Sequence, residues 1–260
     1  MYKQFSAVPA ANRWNQTMVQ CMASPTRSIT PDFDLDRLNC TFEGAHPRDI
    51  LSWCIDNIPQ GLVQTSAFSL LVITDILYRD LKASPAVPVI FLDTLHHFPE
   101  TLATVEKARE TYGLDVRAYR ARGVDSRESF AELYGESLWE RDVDRFHYLT
   151  KVEPLQRALR EIGVVGWVNG RRREQSHTRR NLPIFEQDAN GRIKVNPLAT
   201  WSRKQLWSYT FEHNVPYNPL LDQGYASIGD EPLTTPVAAG EDERAGRWRG
   251  SVKTECGIHV

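Results

Sequence analysis

Four short apolar segments, Leu62–Thr65, Pro88–Leu92, Leu114–Tyr119 and Val164–Val168, alternate with helix-patterned stretches between residues 47 and 170. Nothing else in the chain restricts its fold as much. Pro47–Ile58 repeats Ile50, Leu51, Cys54, Ile55 and Ile58 at helical spacing, with proline at its opening. Leu70–Lys82 puts Ile73, Ile76, Leu77 and Leu81 inward, and Pro99–Tyr112, Ser126–Tyr134 and Pro154–Ile162 are expected to be helical as well. This alternation predicts a mostly parallel sheet with right-handed crossovers and helices on both faces. Ligands of such sheets lie beyond the carboxyl ends of the strands. Three segments fall on that edge: the turn Thr65–Ser69, the turn Asp93–His97, and Gly170 with the arginines that follow it.

The rest of the chain is less periodic. Asp188-Ala189-Asn190-Gly191 lies between Leu182–Glu186 and Ile193–Asn196 and signals a hairpin. Ser202–His213 reads as a serine-capped helix. From Val215 onward proline and glycine recur, which describes ordered loops. The expected division is an N-terminal extension over residues 1–45, an α/β body over 46–239 and a mobile tail over 240–260.

Composition narrows the function. With 41% apolar and 25% charged residues among 260, the chain is long enough and mixed enough to bury a sizeable core. No apolar run approaches the roughly 20 residues that span a bilayer, and the start lacks a signal-peptide pattern. A cytoplasmic protein with no membrane partner is therefore expected. A net charge of −2 argues against the molecule as a whole attracting nucleic acid. The cysteines at 21, 40, 54 and 256 form no Cys-x-x-Cys pair, which argues against a zinc ribbon or a cysteine-ligated iron–sulfur cluster. Cys54, in an apolar helical run, is expected to be a buried small hydrophobe.

Three constellations carry chemistry. Arg171, Arg172, Arg173, Arg179 and Arg180 follow Gly170 within ten residues, and the planar fork of arginine suits phosphate or sulfate. A solvated basic loop is the alternative. Asp93-Thr94 closes the second strand, where a carboxylate can orient a ribose; the neighbouring His96-His97 fits helix-entry packing better than metal binding. Finally, Cys256 lies near the C-terminus beside Lys253, Glu255 and His259. A thiol is nucleophilic as thiolate, and nearby cations favour that form.

Several stretches together resemble the phosphoadenylyl-sulfate (PAPS) reductase family, thioredoxin-dependent and fungal-type. They are Phe91–Thr101, Lys151–Pro154, Gly170–Ser176 with Arg179, Val215–Leu220, Gly224-Tyr225, Ser227–Asp230, Gly240–Trp248 and the terminal Lys253–His259. The resemblance runs from about Ile50 to the end, and it implies an adenine-nucleotide α-hydrolase-like fold. It implies reduction of PAPS to sulfite and adenosine 3′,5′-bisphosphate through an S-sulfocysteine on Cys256, with His259 tuning the thiol. Thioredoxin is then the reductant and protein partner, no cofactor is bound, and the chain is a homodimer. Substrate contacts fall on Thr65, Ser66, Asp93, Thr94, Lys151, Arg171, Arg172, Arg179, Arg244 and Arg247.

Relatives that reduce adenylyl sulfate (APS) carry a cluster on two cysteine pairs. The corresponding positions here fall near Phe146-His147 and on Asp230-Glu231-Pro232-Leu233. This favours PAPS over APS. The turn Thr65-Ser66-Ala67-Phe68-Ser69 departs from the family in lacking glycine and in being shorter. A non-catalytic or impaired nucleotide-binding member is the alternative reading that this departure leaves, and an APS reductase is a further one.

Overall fold

The computed structural model describes residues 33–83, 86–249, 253 and 255–259. Six strands form one sheet: β1 (Leu62–Thr65), β2 (Val89–Leu92), β3 (Val116–Tyr119), β4 (Gly166–Val168), β5 (Phe185–Gln187) and β6 (Ile193–Val195). Their order is β3-β2-β1-β4-β6-β5. All neighbours pair in parallel except β5 with β6, the hairpin signalled by Asp188–Gly191. The chain starts in the middle at β1, winds outward through β2 and β3, and then crosses back to β4. The carboxyl ends of β1 and β4 therefore flank the point where the winding reverses, the usual crevice of an open α/β sheet.

Around the sheet lie α1 (Leu35–Phe42), α2 (Pro47–Asn57), α3 (Val72–Asp75), α4 (Pro99–Tyr112), α5 (Arg127–Tyr134), α6 (Leu138–Arg141), α7 (Val143–His147), α8 (Glu153–Glu161) and α9 (Arg203–Glu212). The expected alternation holds. Proline opens α2 and α4, where its missing N–H costs nothing, and Gly113 closes α4 in a left-handed turn. Ser126 and Ser202 cap α5 and α9 with reciprocal capping boxes.

One face of the sheet is covered by α2, α3 and α9, with Ile50, Leu51, Cys54, Ile73, Ile76, Leu77 and Leu206 in the main core. Cys54 is buried as expected, and burial pushes its thiol up, so it is inert. On the other face α8 lays Leu155, Ala158 and Leu159 against Val63, Ile90 and Trp167.

One expectation needs correction, and two segments add to what was expected. The helix over Leu70–Lys82 is α-helical only at α3, and Ile76–Asp80 continue as a π-helical turn, with Leu81 only half-buried. Part of the N-terminal extension is helical: α1 packs Leu35, Leu38 and Phe42 on the main core, and Asn39 exchanges hydrogen bonds with the backbone of Phe185. Residues 138–152, given no structure above, form α6, α7 and a π-helical turn at Tyr148–Val152. Short helical turns with few apolar positions leave too weak a period to read.

The described part of the C-terminal block is anchored at Trp248. Trp248 is buried and its backbone bonds to Leu233, while Thr234 bridges Arg247. Gly229 and Gly246 leave no room for a Cβ, since one would enter the Arg247 guanidinium and the other the Thr235 carbonyl.

Candidate active site

At the end of β1 the Thr65 hydroxyl donates to the carbonyl of Val168 on β4 (3.3 Å), tying the two central strands together. Ser66 Oγ accepts the Phe68 amide (3.0 Å) and shapes the turn. Phe68 holds the left-handed backbone (φ 51°) that glycine adopts without cost, and its ring is fully buried edge-on to Phe91 (centroids 5.4 Å apart). Core packing compensates the backbone strain at this position.

Asp93 and Thr94 end β2, both buried. Asp93 takes a hydrogen bond from the Leu95 amide (3.0 Å) and pairs with Arg120 (2.7 Å). The Thr94 hydroxyl accepts from the His96 amide (3.3 Å). His96 packs edge-on among Phe130, Trp139 and Phe146, and His97 stacks on Phe91. Burial pushes both imidazoles down, so they act as neutral packing groups.

Past β4 the arginines turn inward. Arg171, Arg172 and Arg179 are all at least nine-tenths buried, which excludes a solvated basic loop. Arg171 donates to Asn169 (3.1 Å) and Asn196 (3.2 Å) and pairs with Glu186. Arg172 forms an ion pair with Glu243, its Nη2 donating to both carboxylate oxygens (2.9 and 2.7 Å). Arg179 forms another with Glu255 (2.7 Å for both bonds), which Arg244 also reaches (3.2 Å). Burial, and then Arg179 alongside, lower Arg171 to about 10; burial with Arg179 and Arg247 does the same to Arg244. Arg247 stacks over Trp248 (4.7 Å) and donates to the Ile228 carbonyl (3.1 Å).

Cys256 is half-buried beside this cluster, within electrostatic reach of both Arg244 and Arg247. Lys253 pairs with Asp144. His259 stacks parallel on Trp167 (5.7 Å, 8°), and Lys194 donates to its carbonyl (3.3 Å). Burial, then Arg171 and Lys194, push the His259 imidazole well below its usual range. It is neutral near pH 7 and supplies no positive field to the thiol.

Lys151 reaches the same edge from the π-helical turn and pairs with Asp230. Burial opposes ionisation of Asp230, but Lys151, His147 and His97 hold its carboxyl well below the usual range. His147 is lowered to about 4, chiefly by burial, and its Nε2 accepts the Trp248 indole N–H (3.3 Å). His147 and Asp230 stand 3.5 Å apart. An imidazole, a carboxylate and an ammonium do not fit a thiolate-ligated cluster. Among the described residues, no group of three or more His, Cys, Asp and Glu side chains could hold a metal ion, and no helix is long and apolar enough to cross a membrane.

The structure thus gathers Lys151, Arg171, Arg172, Arg179, Arg244, Arg247, Cys256 and His259 on one edge, with Thr65, Ser66, Asp93 and Thr94 at the neighbouring strand ends. Sequence reasoning missed the carboxylates Glu186, Glu243 and Glu255 and the pair His147–Asp230. Only Glu255 carried a signal, its place beside the thiol. Cys40 is exposed on α1, and Cys21 lies outside the described residues.

Comparison with known proteins identifies the family. Residues 67–236 match the phosphoadenosine phosphosulfate reductase domain. The chain is 48% identical over 229 residues to phosphoadenosine phosphosulfate reductase of Emericella nidulans, covering 86% of this chain and 74% of that protein. Its identity to the Saccharomyces cerevisiae reductase is 45%, covering 82% and 84%. The crystal structure of the Candida auris PAPS reductase, a phosphate complex, superposes with a TM-score of 0.72 at 42% identity, covering 79% of this chain and all of that one. By the matched domain and by these identities, the chain belongs to the phosphoadenosine phosphosulfate reductase family.

Proposed function

We propose that this chain is a thioredoxin-dependent PAPS reductase of assimilatory sulfate reduction, acting in the cytoplasm as a homodimer without an iron–sulfur cluster. The observation that carries the reading is the convergence of buried arginines and Lys151 with Cys256 at the β1–β4 crevice. Arg171, Arg172, Arg179, Arg244, Arg247 and Lys151 suit the phosphate and sulfate groups of such a substrate. Thr65, Ser66, Asp93 and Thr94 border the nucleotide side.

In the reaction, the Cys256 thiolate attacks the sulfuryl sulfur and a new S–S bond forms. The bond from sulfur to the phosphate oxygen breaks, and adenosine 3′,5′-bisphosphate leaves with that electron pair. A thioredoxin thiolate then attacks Sγ of the S-sulfocysteine and expels sulfite. The second thioredoxin thiol resolves the mixed disulfide, so the dithiol supplies both electrons. Splitting the reduction into two displacements is covalent catalysis. The His259 ring, neutral and stacked on Trp167, anchors the tail rather than acidifying the thiol.

The test is direct. PAPS added without thioredoxin should add one sulfonate mass to the peptide containing Cys256, and thioredoxin should remove it with release of sulfite. Cys256→Ser should abolish sulfite formation and still bind adenosine 3′,5′-bisphosphate. Sulfite from the serine variant, or an adduct on Cys21, Cys40 or Cys54, overturns the reading. The buried Phe68 ring in the β1 turn favours one second reading, a member impaired in nucleotide binding. Failure of the wild type to bind the bisphosphate would select it.

A further inference from the structure

The tail carboxylate Glu255 sits where an anionic ligand would be expected. Its two oxygens take paired hydrogen bonds from Arg179 (2.7 Å for both), and Arg244 reaches one of them (3.2 Å). The half-buried carboxyl is opposed by desolvation, yet Arg179, Arg244 and Arg171 hold it below its ordinary range. A bidentate fork on a planar anion is the geometry guanidinium uses for phosphate and sulfate. Glu255 also directly precedes Cys256, so whatever holds this carboxylate holds the thiol.

The other carboxylates differ in attachment. Glu186 belongs to β5 and pairs with Arg171 from within the sheet. Glu243 precedes Trp248, which is locked by burial and a backbone bond to Leu233. Glu255 lies beyond both anchors, and Gly257, in the left-handed region (φ 89°), gives the chain a pivot two residues on.

Resting on the reading that Arg179 and Arg244 grip an anionic group of the substrate, we infer that Glu255 is an internal occupant of that anion site. It is a positioning residue: it keeps the guanidiniums oriented and the Cys256 segment docked until a substrate phosphate or sulfate displaces it. A tethered carboxylate competes at a high effective concentration, so the exchange requires the anion at a saturating concentration. Return of Glu255 after transfer then helps expel the bisphosphate product.

The experiment uses the full chain and two variants, Glu255→Gln and Glu255→Asp. Alkylation of Cys256 by iodoacetamide, a neutral reagent, is followed on its own peptide while inorganic sulfate or adenosine 3′,5′-bisphosphate is titrated. In wild type the alkylation rate should rise as the anion saturates. Glu255→Gln should react fast without anion and lose the dependence, and Glu255→Asp should restore it. The Gln variant should also bind the bisphosphate about tenfold more tightly, the scale of losing one charge-assisted competitor. With PAPS, its KM and kcat should fall together, because product leaves slowly.

A residue that merely supported the fold would weaken binding instead. Weaker bisphosphate binding by Glu255→Gln, or wild-type alkylation indifferent to both anions, overturns the inference. A wild type that makes no sulfite from PAPS but whose Cys256 still responds to anions would overturn the proposed reaction and leave the role of Glu255 standing.

Discussion

β1 and β4 lie side by side in the sheet, yet they end in opposite ways. Beyond β1 the chain buries an aromatic ring, Phe68, on a left-handed backbone and brings no charge. Beyond β4 it buries three guanidiniums, each in a carboxylate pair. Open α/β sheets often hold anions on backbone amides at the first strand-to-helix turn. Under the proposed function, the neighbouring strand takes that task with side chains. Amides offer a fixed cradle, whereas arginines offer charge that must be kept oriented when no ligand is present, and the paired carboxylates do this.

The comparison can be broken from either side. The largest effect is expected at Phe68. If the ring serves packing, Phe68→Ala should cost about 3–5 kcal/mol of stability, seen as a lowered denaturant midpoint, because it leaves a core cavity. Phe68→Gly should lose much of the same packing and regain part through the relaxed backbone. Neither should alter bisphosphate affinity per folded molecule. Tighter binding by the glycine variant would instead assign the anion site to the turn amides.

Next comes acid. His147 is neutral in the fold, its pKa lowered from 6.5 to about 4 mainly by burial. The unfolded chain therefore binds more protons between those values. Stability attributable to His147 is complete above pH 6.5 and is lost as pH falls toward 4. The full loss is about 3 kcal/mol at 1.36 kcal/mol per unit. His147→Gln should flatten the stability profile across that window; an unchanged slope would show that other groups dominate it.

The smallest effect sharpens the β4 side. Arg172→Lys keeps the charge and removes the fork. Bisphosphate affinity measured by calorimetry should fall about tenfold, one good hydrogen bond to a charged group. Equal affinity would mean that Arg172 contributes only a general basic field.

How legible these regions were follows from their physics. β1 and α4 match the segments expected from apolar runs and an opening proline, because local periodicity sets both. The arginines were visible as a run after a strand-end glycine, since charge density is a sequence property. Their partners were not: Glu186, Glu243 and Glu255 lie 15, 71 and 76 residues from Arg171, Arg172 and Arg179. Asp230 is likewise 79 residues from Lys151. Only the fold brings such pairs together. The π-helical turn at Tyr148–Val152 was missed for a related reason, as its side chains answer to tertiary packing rather than to a 3.6-residue repeat.

The face-to-face contact between Trp167 and His259 has an optical consequence. Trp167 belongs to the rigid centre of the sheet, and the ring covering it belongs to the last residues of the chain. An indole screened by a stacked imidazole and a nearby ammonium emits differently from one facing water. Subtracting the spectrum of Trp167→Phe isolates that signal from the other tryptophans. The protein thus carries an intrinsic fluorophore whose emission reports whether the His259 ring covers it.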